Sequence, residues 1–412
     1  MQQSGPISPI TSPNGVLIER IQLYSVVMQQ RYDYILAGGG AAARSLAYQM
    51  ISSPLSGRRI LIIDPDPKLN NDRTWCFWSA DPTPFDPIVH RRWSVLDFVA
   101  EDFVLQLDLA PYDYRVIRGI DFYNHTTRTL KAAGVHFLQR RVDTIEQHTD
   151  HTVVTADGEA YAGDWVFDSR WDAVPYRRDN PRYHYLQQHF LGWVIRADEA
   201  PFDTTRATLF DLRTPQDGMF RFVYTLPFSA SEAMVEYTVF SANLLPPQEY
   251  RQALSTYIES HLGLNDYRIL EEESCVIPMT DEPFPRAAGE RVMCIGTRGG
   301  RVKASSGYAF LRIQHDSAAI VRSLIESGSP FHGRRPAPRY HTFDSLLLQI
   351  LYRHGDLGAR VFSNLFRRNP VQRIFRLLDE DGSLGDNIAL MSTVQWWPFV
   401  KAWLKLRLTH RV

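Results

Sequence analysis

Cysteine is scarce in this 412-residue chain: Cys76, Cys275 and Cys294 stand alone and far apart. No pair has zinc-site spacing and no disulfide framework is possible, which fits a reducing compartment. A surplus of either charge is also lacking. The 45 basic and 46 acidic residues leave a net charge of −1, which argues against nucleic-acid binding as the main task, because phosphate neutralisation needs a basic excess. No run of about 18 apolar residues occurs, so a spanning helix is not expected. The first 30 residues lack the basic-then-apolar order of a secretory signal. Further, there is no H-E-x-x-H, no G-x-S-x-G elbow and no P-loop lysine after the glycines. The 13 histidines form no close His/Asp pair with metal spacing, so no metal is expected.

What is present begins near Met28-Gln29-Gln30, which repeats the opening Met1-Gln2-Gln3. Residues 1–30 read as a flexible tail, the alternative being a short strand over Gly15–Val27. Tyr32–Ala37 reads as a buried strand, Gly38-Gly39-Gly40-Ala41-Ala42-Ala43 as a turn, Arg44–Ile51 as a helix, and Arg59–Ile63 as a second strand ending at Asp64. Gly38 permits the tight turn, Gly40 lets the backbone approach a pyrophosphate, and Ala43 allows close helix–strand packing. The helix N-terminus offers unpaired N–H groups to phosphate oxygens. Asp64 stands where a ribose hydroxyl would lie. Strand, glycine turn, helix and strand-end acid together specify a dinucleotide site far better than glycines alone.

Further on, Thr152–Phe167 reads as a hairpin that ends in a second strand-end acid, Asp168. His189–Ile195, Thr208–Asp211, Phe220–Leu226 and Ala233–Phe240 read as antiparallel strands of a separate sheet, forming one wall of a cleft. A late strand, Arg291–Ile295, then leads through the Gly296–Gly307 loop into a helix over Tyr308–Ser327. A nucleotide gripped from both ends of a chain is typical of FAD domains. The acid run Glu271-Glu272-Glu273 reads as a solvated edge. The fold class is therefore α/β (α+β): a FAD/NAD(P)-binding Rossmann-like domain, an inserted antiparallel β-sheet substrate domain, and a C-terminal helical segment. The boundaries expected are 31–180 with 285–330 for the first, 181–284 for the second and 331–412 for the third. From Asn387 to Val412 there is no Asp or Glu, while Trp396, Trp397, Trp403, Lys401, Lys405, Arg407 and Arg411 crowd together. That pattern suits an interfacial segment on an anionic membrane, or a helix pair packed on the core.

Four further stretches carry a resemblance. Asn71–Trp78, Gly218–Pro227, Met234–Thr238 and Gly296–Gly300 with Lys303 and Ser306-Gly307-Tyr308 resemble segments of the bacterial lycopene β-cyclases. The match runs roughly from Tyr32 to Trp403. Two departures are Tyr237, where relatives often have a second acid, and Ser169-Arg170-Trp171, where they often have glycine.

The resemblance implies cyclisation of the ends of lycopene or a related acyclic carotenoid. It also implies reduced FAD as cofactor, NADPH as reductant, and peripheral attachment at the cytoplasmic face of a membrane. Such a reaction needs an acid, a base and a cation-stabilising apolar cavity, with no net oxidation. Glu236, inside an apolar strand on the face of Met234 and Thr238, is the expected acid or base, since burial would keep it protonated. Trp193, Phe220, Phe222, Tyr224 and Tyr237 are the expected polyene contacts. Gly38–Ala43, Asp64, Asp168, Gly296, Arg298, Lys303, Ser306 and Gly307 are the expected cofactor contacts. Two other readings share the nucleotide motif: a flavin monooxygenase or reductase acting on an isoprenoid, and a non-catalytic prenyl-lipid carrier.

Overall fold

The computed structural model describes residues 31–176, 182–333, 337–394 and 396–408. The expected N-terminal tail, with its alternative strand, lies outside the described residues. β1 (Arg31–Ala37), α1 (Ala41–Ile51) and β2 (Ile60–Ile63) form the opening βαβ unit. Seven-residue β1 is buried over its last four positions, as expected of a strand covered on both faces. Then follow β3 (Thr74–Ser79), β4 (Arg91–Trp93), β5 (Val95–Val99), β6 (Val104–Asp108) and β7 (Asp113–Arg118). After α2 (Gly119–Ala132) come β8 (His136–Leu138), β9 (Val142–Gln147), β10 (Thr152–Ala156) and β11 (Glu159–Asp168). The second half contains β12 (Tyr185–Arg196), β13 (Ala207–Asp211), β14 (Phe220–Pro227), β15 (Glu232–Ser241), α3 (Pro247–His261), β16 (Arg268–Thr280) and β17 (Val292–Cys294). Helices finish the chain: α4 (Phe310–Ser327), α5 (Pro338–Arg353), α6 (Leu357–Arg368), α7 (Val371–Leu378), α8 (Leu384–Met391) and α9 (Trp396–Leu408).

The first sheet runs β8-β2-β1-β11-β10-β9, with β17 also paired to β11. β2, β1, β11 and β17 are parallel neighbours, and Ala37 is in register with both Ile63 and Asp168, which in turn faces Cys294. Four strand ends and the loops after them therefore meet at one carboxyl edge, where ligands bind in open α/β sheets. β17 arrives from about 125 residues after β11, so the late segment completes the first sheet, as the discontinuous reading expected.

The second sheet runs β16-β12-β15-β14-β13-β5-β6. Its membership departs from the expected boundaries. β5 and β6 come from within residues 31–180, and β13 pairs with β5 in parallel. The short alternating segments there did not reveal a partner more than 100 residues away. β16, thirteen residues long, is an edge strand that contains the acid run Glu271-Glu272-Glu273.

Both faces of this sheet are covered. Leu191, Trp193, Ile195, Val235, Tyr237 and Val239 pack under Tyr250, Leu254, Tyr257 and Ile258 of α3. Phe220, Phe222, Tyr224, Leu226, Met234 and Phe240 face the other way, toward Phe366, Ile374, Phe375 and Leu390 of the C-terminal helices. All eight residues of β14 are buried for that reason. Gly358 of α6 lets the helix lie directly on Phe220, since a Cβ there would come within 2.7 Å of the ring. Phe362, one turn on, stacks on Phe220 at 4.6 Å between centroids.

Candidate active site

A cavity of about 680 Å³ opens at the carboxyl edge of the first sheet and reaches the inner face of the second. The end beside the glycine turn is lined by Gly38, Gly40, Ala41, Ala42, Asp64, Ser169, Gly296 and Thr297. Gly38 has φ +98°, which a side chain would rarely adopt, and its missing Cβ would collide with the Ser169 hydroxyl. The Gly39 N–H donates to Asp64 Oδ2, so the turn and the strand-end acid are joined. Gly40 caps α1 with no side-chain partner for the helix N–H groups. A Cβ on Gly40 would meet nothing within 4 Å. The first turn of α1 thus presents free donors and a positive dipole end to open space. Gly296 sits against this turn: a Cβ there would approach that of Ala42 to 2.8 Å.

These features fit a dinucleotide. The helix N-terminus is uncapped and unobstructed, the loops at its sides are glycine-lined, and the void is continuous. Two buried polar atoms on the wall, Ser306 Oγ and Gln188 Oε1, have no hydrogen-bond partner in the protein. Gly307, with φ +75°, brings the backbone of the late loop against the Gln188 amide.

Five expected cofactor contacts do not line the cavity: Gly39, whose N–H is taken by Asp64, Ala43, which is buried in the core beside Leu46, and three charged residues. Asp168 is 1% exposed and holds Arg170 at 2.9 Å and Arg298 at 3.2 Å. Asp168 and Arg298 thus pair with each other beneath the loop. Their charges cancel there, which is why neither lines the cavity. Lys303 does not line this cavity. Its Nζ donates to Asp344 Oδ2 of α5 and to Glu380 Oε1 after α7, both at 2.9 Å, tying the late loop to the C-terminal helices.

Glu236 lies on the cavity wall in register with Tyr224 on β14 and Gly192 on β12. Burial pushes its carboxyl up to about 8, helped by the nearby Glu273 and opposed by the Thr238 hydroxyl, which donates at 2.6 Å. Glu236 thus holds a proton at neutral pH. Cys76, Tyr224 and Tyr308 surround it with groups that burial keeps neutral. The Tyr308 and Tyr114 hydroxyls are 3.2 Å apart behind them.

Beyond Tyr224, Ser306 and Tyr308, which line both spaces, a second chamber of about 90 Å³ lies between the sheet and the C-terminal helices. Its wall is almost wholly apolar, with Phe210, Phe222, Phe362, Leu365, Phe366 and Phe375 facing inward.

Of the five aromatics expected at the substrate, Phe222 and Tyr224 line these spaces, whereas Phe220 is sealed beneath α6. Trp193 and Tyr237 are corrected outright. Strand alternation turns each away from its neighbours Gly192 and Glu236, and both lie under α3. The Trp193 indole donates to Glu272 at 3.0 Å on that far face.

Glu273 is the main residue the sequence reading missed. The solvated-edge description holds for Glu271 and Glu272 but not for Glu273, which is 7% exposed and lines the cavity. The signal was the period-two series Glu273, Cys275 and Ile277, all on the cavity wall. Three consecutive acids masked it.

A Rossmann-like first sheet joined to a second large sheet and a small three-stranded one is the fold here, and solved structures share it. A flavoprotein/dehydrogenase from Cytophaga hutchinsonii superposes with a TM-score of 0.60 at 12% identity, covering 92% of this chain and 100% of that one. A geranylgeranyl bacteriochlorophyll reductase-like protein from Thermoplasma acidophilum gives 0.58 at 14% identity, covering 92% and 99%. The chain belongs to the lycopene cyclase family: the family described as lycopene cyclase protein matches residues 33–406. The lycopene beta cyclase of Arabidopsis thaliana is 27% identical over 327 residues, 75% of this chain and 64% of that protein. The capsanthin/capsorubin synthase of Capsicum annuum is 24% identical over 355 residues, 81% and 69% of the two chains. The chain therefore spans a little under two thirds of the length of the Arabidopsis relative.

Proposed function

We propose that this protein is an isomerase, a lycopene β-cyclase that closes the acyclic ends of lycopene into β-rings by acid/base chemistry. The observation that carries this is Glu236: a carboxyl still protonated near neutrality, on the wall of the cavity that the glycine loop opens into. Glu236 donates its proton to the terminal alkene of an end group. A tertiary cation results, the next double bond attacks it, and the ring closes. A different ring proton then passes to the Glu236 carboxylate left by the first step, so atoms and electrons balance with no oxidation. Phe222 and Tyr224 present π faces to the cation. Tyr308 and Cys76 stay neutral beside it. The apolar chamber takes the adjoining polyene, which needs no polar partner there.

Gly38, Gly40, Ala41, Ala42, Asp64 and Gly296 would hold FAD, whose reduced form supplies negative charge near the cation without net electron transfer, with NADPH the proposed reductant. Among the described residues no helix is long and apolar enough to cross a membrane. We place the protein peripherally, at the cytoplasmic face. Trp397 and Leu404 are exposed on the helix that carries Lys401, Lys405 and Arg407, a surface suited to anionic lipid and to collecting a bilayer-dissolved substrate.

The test is anaerobic incubation with lycopene in liposomes and chemically reduced FAD, followed by product mass. An unchanged mass with altered retention is expected. A gain of hydrogen, or of oxygen on admitting air, would refute the cyclase reading.

A further inference from the structure

Glu236 is not the sole carboxylate on the inner face of the second sheet. Gly192, at the centre of β12, is in register with Glu236 on one side and with Glu273 on the other. All three positions share one face, and the position between the two acids has no side chain. A Cβ on Gly192 would lie 2.8 Å from Met234 Cε and 3.4 Å from Glu236 Cβ. Both carboxyl groups line the same cavity.

The two are held differently. Glu273 Oε1 accepts from the Thr74 backbone N–H at 2.8 Å, and its Oε2 accepts from the Thr74 hydroxyl at 2.7 Å. Burial pushes the Glu273 carboxyl up from its ordinary value, but these two donors favour its charged form and oppose that rise, whereas Glu236 has a single hydroxyl donor. Glu271, two residues back on the same face, accepts from Asn71 at 2.8 Å. The edge strand β16 is thus tied by two acids to the segment that enters β3. Glu236, by contrast, receives a hydrogen bond from Thr238 and lies among apolar and neutral groups.

We propose that Glu273 is a positioning residue of this centre: a buried carboxylate, anchored to Thr74, that faces Glu236 across Gly192 and keeps the proton on it. Two carboxylates in one poorly solvated space cannot both ionise cheaply, so the one with built-in donors takes the charge and the other the proton. The remaining groups facing the pair agree with this division. Arg73 supplies a cation beside Glu273 and opposes its rise, while Asp72, paired to Arg73 at 3.1 Å, acts in the other direction. Cys76 from β3, Cys275 from β16, Tyr224 from β14 and Tyr308 from the late loop are all pushed toward their neutral forms by burial. The inference deepens the proposed function and rests on its assignment of Glu236.

The test needs no turnover. The infrared band of a protonated carboxyl that is present in the wild type and absent from Glu236→Gln reports Glu236 directly. In Glu273→Gln its titration midpoint should fall by about 1 pH unit, because a fixed negative neighbour has gone. Thr74→Val keeps the backbone N–H but removes the hydroxyl donor, and should lower the midpoint by less; it serves if Glu273→Gln does not fold. Cyclisation should then lose activity at lower pH in both variants, with KM unchanged. An unmoved infrared midpoint, or activity reduced equally at every pH, would overturn the proposal. A shifted midpoint in a protein that does not cyclise lycopene supports the pair and refutes only the cyclase assignment.

Discussion

Replacing Glu236 by glutamine should abolish cyclisation and, at the same time, stabilise the fold in a pH-dependent way. The carboxyl is raised from an ordinary 4.5 to about 8, mainly by burial. At pH values below about 4.5 the folded and unfolded chains both carry the proton, and the group favours neither. As pH rises toward about 8 the unfolded chain releases the proton while the folded chain keeps it, so stability falls throughout that window. Taken whole, the difference corresponds to about 5 kcal/mol at about 1.4 kcal/mol per pH unit. Water in the open cavity screens part of it, so about 3 kcal/mol is expected above pH 8, about 2 at pH 7, and none at pH 4.5. Glutamine has the same shape and no proton to lose. Urea unfolding of both proteins at matched flavin content, from about pH 4.5 to 9, gives the difference directly. A gap between variant and wild type that stays flat across this range would refute the buried, protonated Glu236. So would a variant that cyclises lycopene within a few-fold of wild type.

Gly40→Val should fold normally, because the space around that Cβ is open, yet lose the yellow flavin spectrum; a full spectrum would remove the pyrophosphate from the first turn of α1. Lys303→Met leaves Asp344 without its ammonium, while Glu380 keeps Arg312 at 3.2 Å, and should cost about 3 kcal/mol in thermal or urea unfolding, with flavin absorbance unchanged; an unaffected melting temperature would show that the late loop is held by other contacts. Reversing Lys401, Lys405 and Arg407 to glutamate should reduce co-sedimentation with anionic vesicles several-fold and leave neutral vesicles unaffected; equal sedimentation would rule out this surface as the membrane contact.

The opening βαβ unit and its glycine turn were legible in the sequence because their information is local. The glycines, the short helix and Asp64 lie within about 33 residues of one another, and each residue type has a backbone reason for its place. Even the completion of the sheet by Val292–Cys294 could be expected, since strand, glycine loop and helix recur there as a unit. The same holds for Glu236: an acid inside an apolar strand invites the question of what it does.

Of the C-terminal alternatives, the structure shows the packing of the helix on the core, and the membrane contact stays a proposal. Ala402 and Leu406 of α9 pack on Leu346 and Ile350 of α5, while Trp397 and Leu404 of the same helix point to solvent. One helix can do both because 3.6-residue periodicity gives it two faces.

The second half of the site was decided by pairing at long range. Residue types named Asp168, Arg298 and Lys303 as cofactor contacts, but each found a closer opposite charge once the chain folded, and a satisfied ion pair has no reason to face a ligand. Trp193 and Tyr237 carry the right chemistry on the wrong side of the sheet. Glu273 carries an unremarkable residue type in an acidic run, and became part of the centre because β12 set it opposite Glu236 with only Gly192 between. Local backbone requirements are written in consecutive residues; which buried charges face one another depends on strands more than 30 residues apart, and only the tertiary structure brings those together.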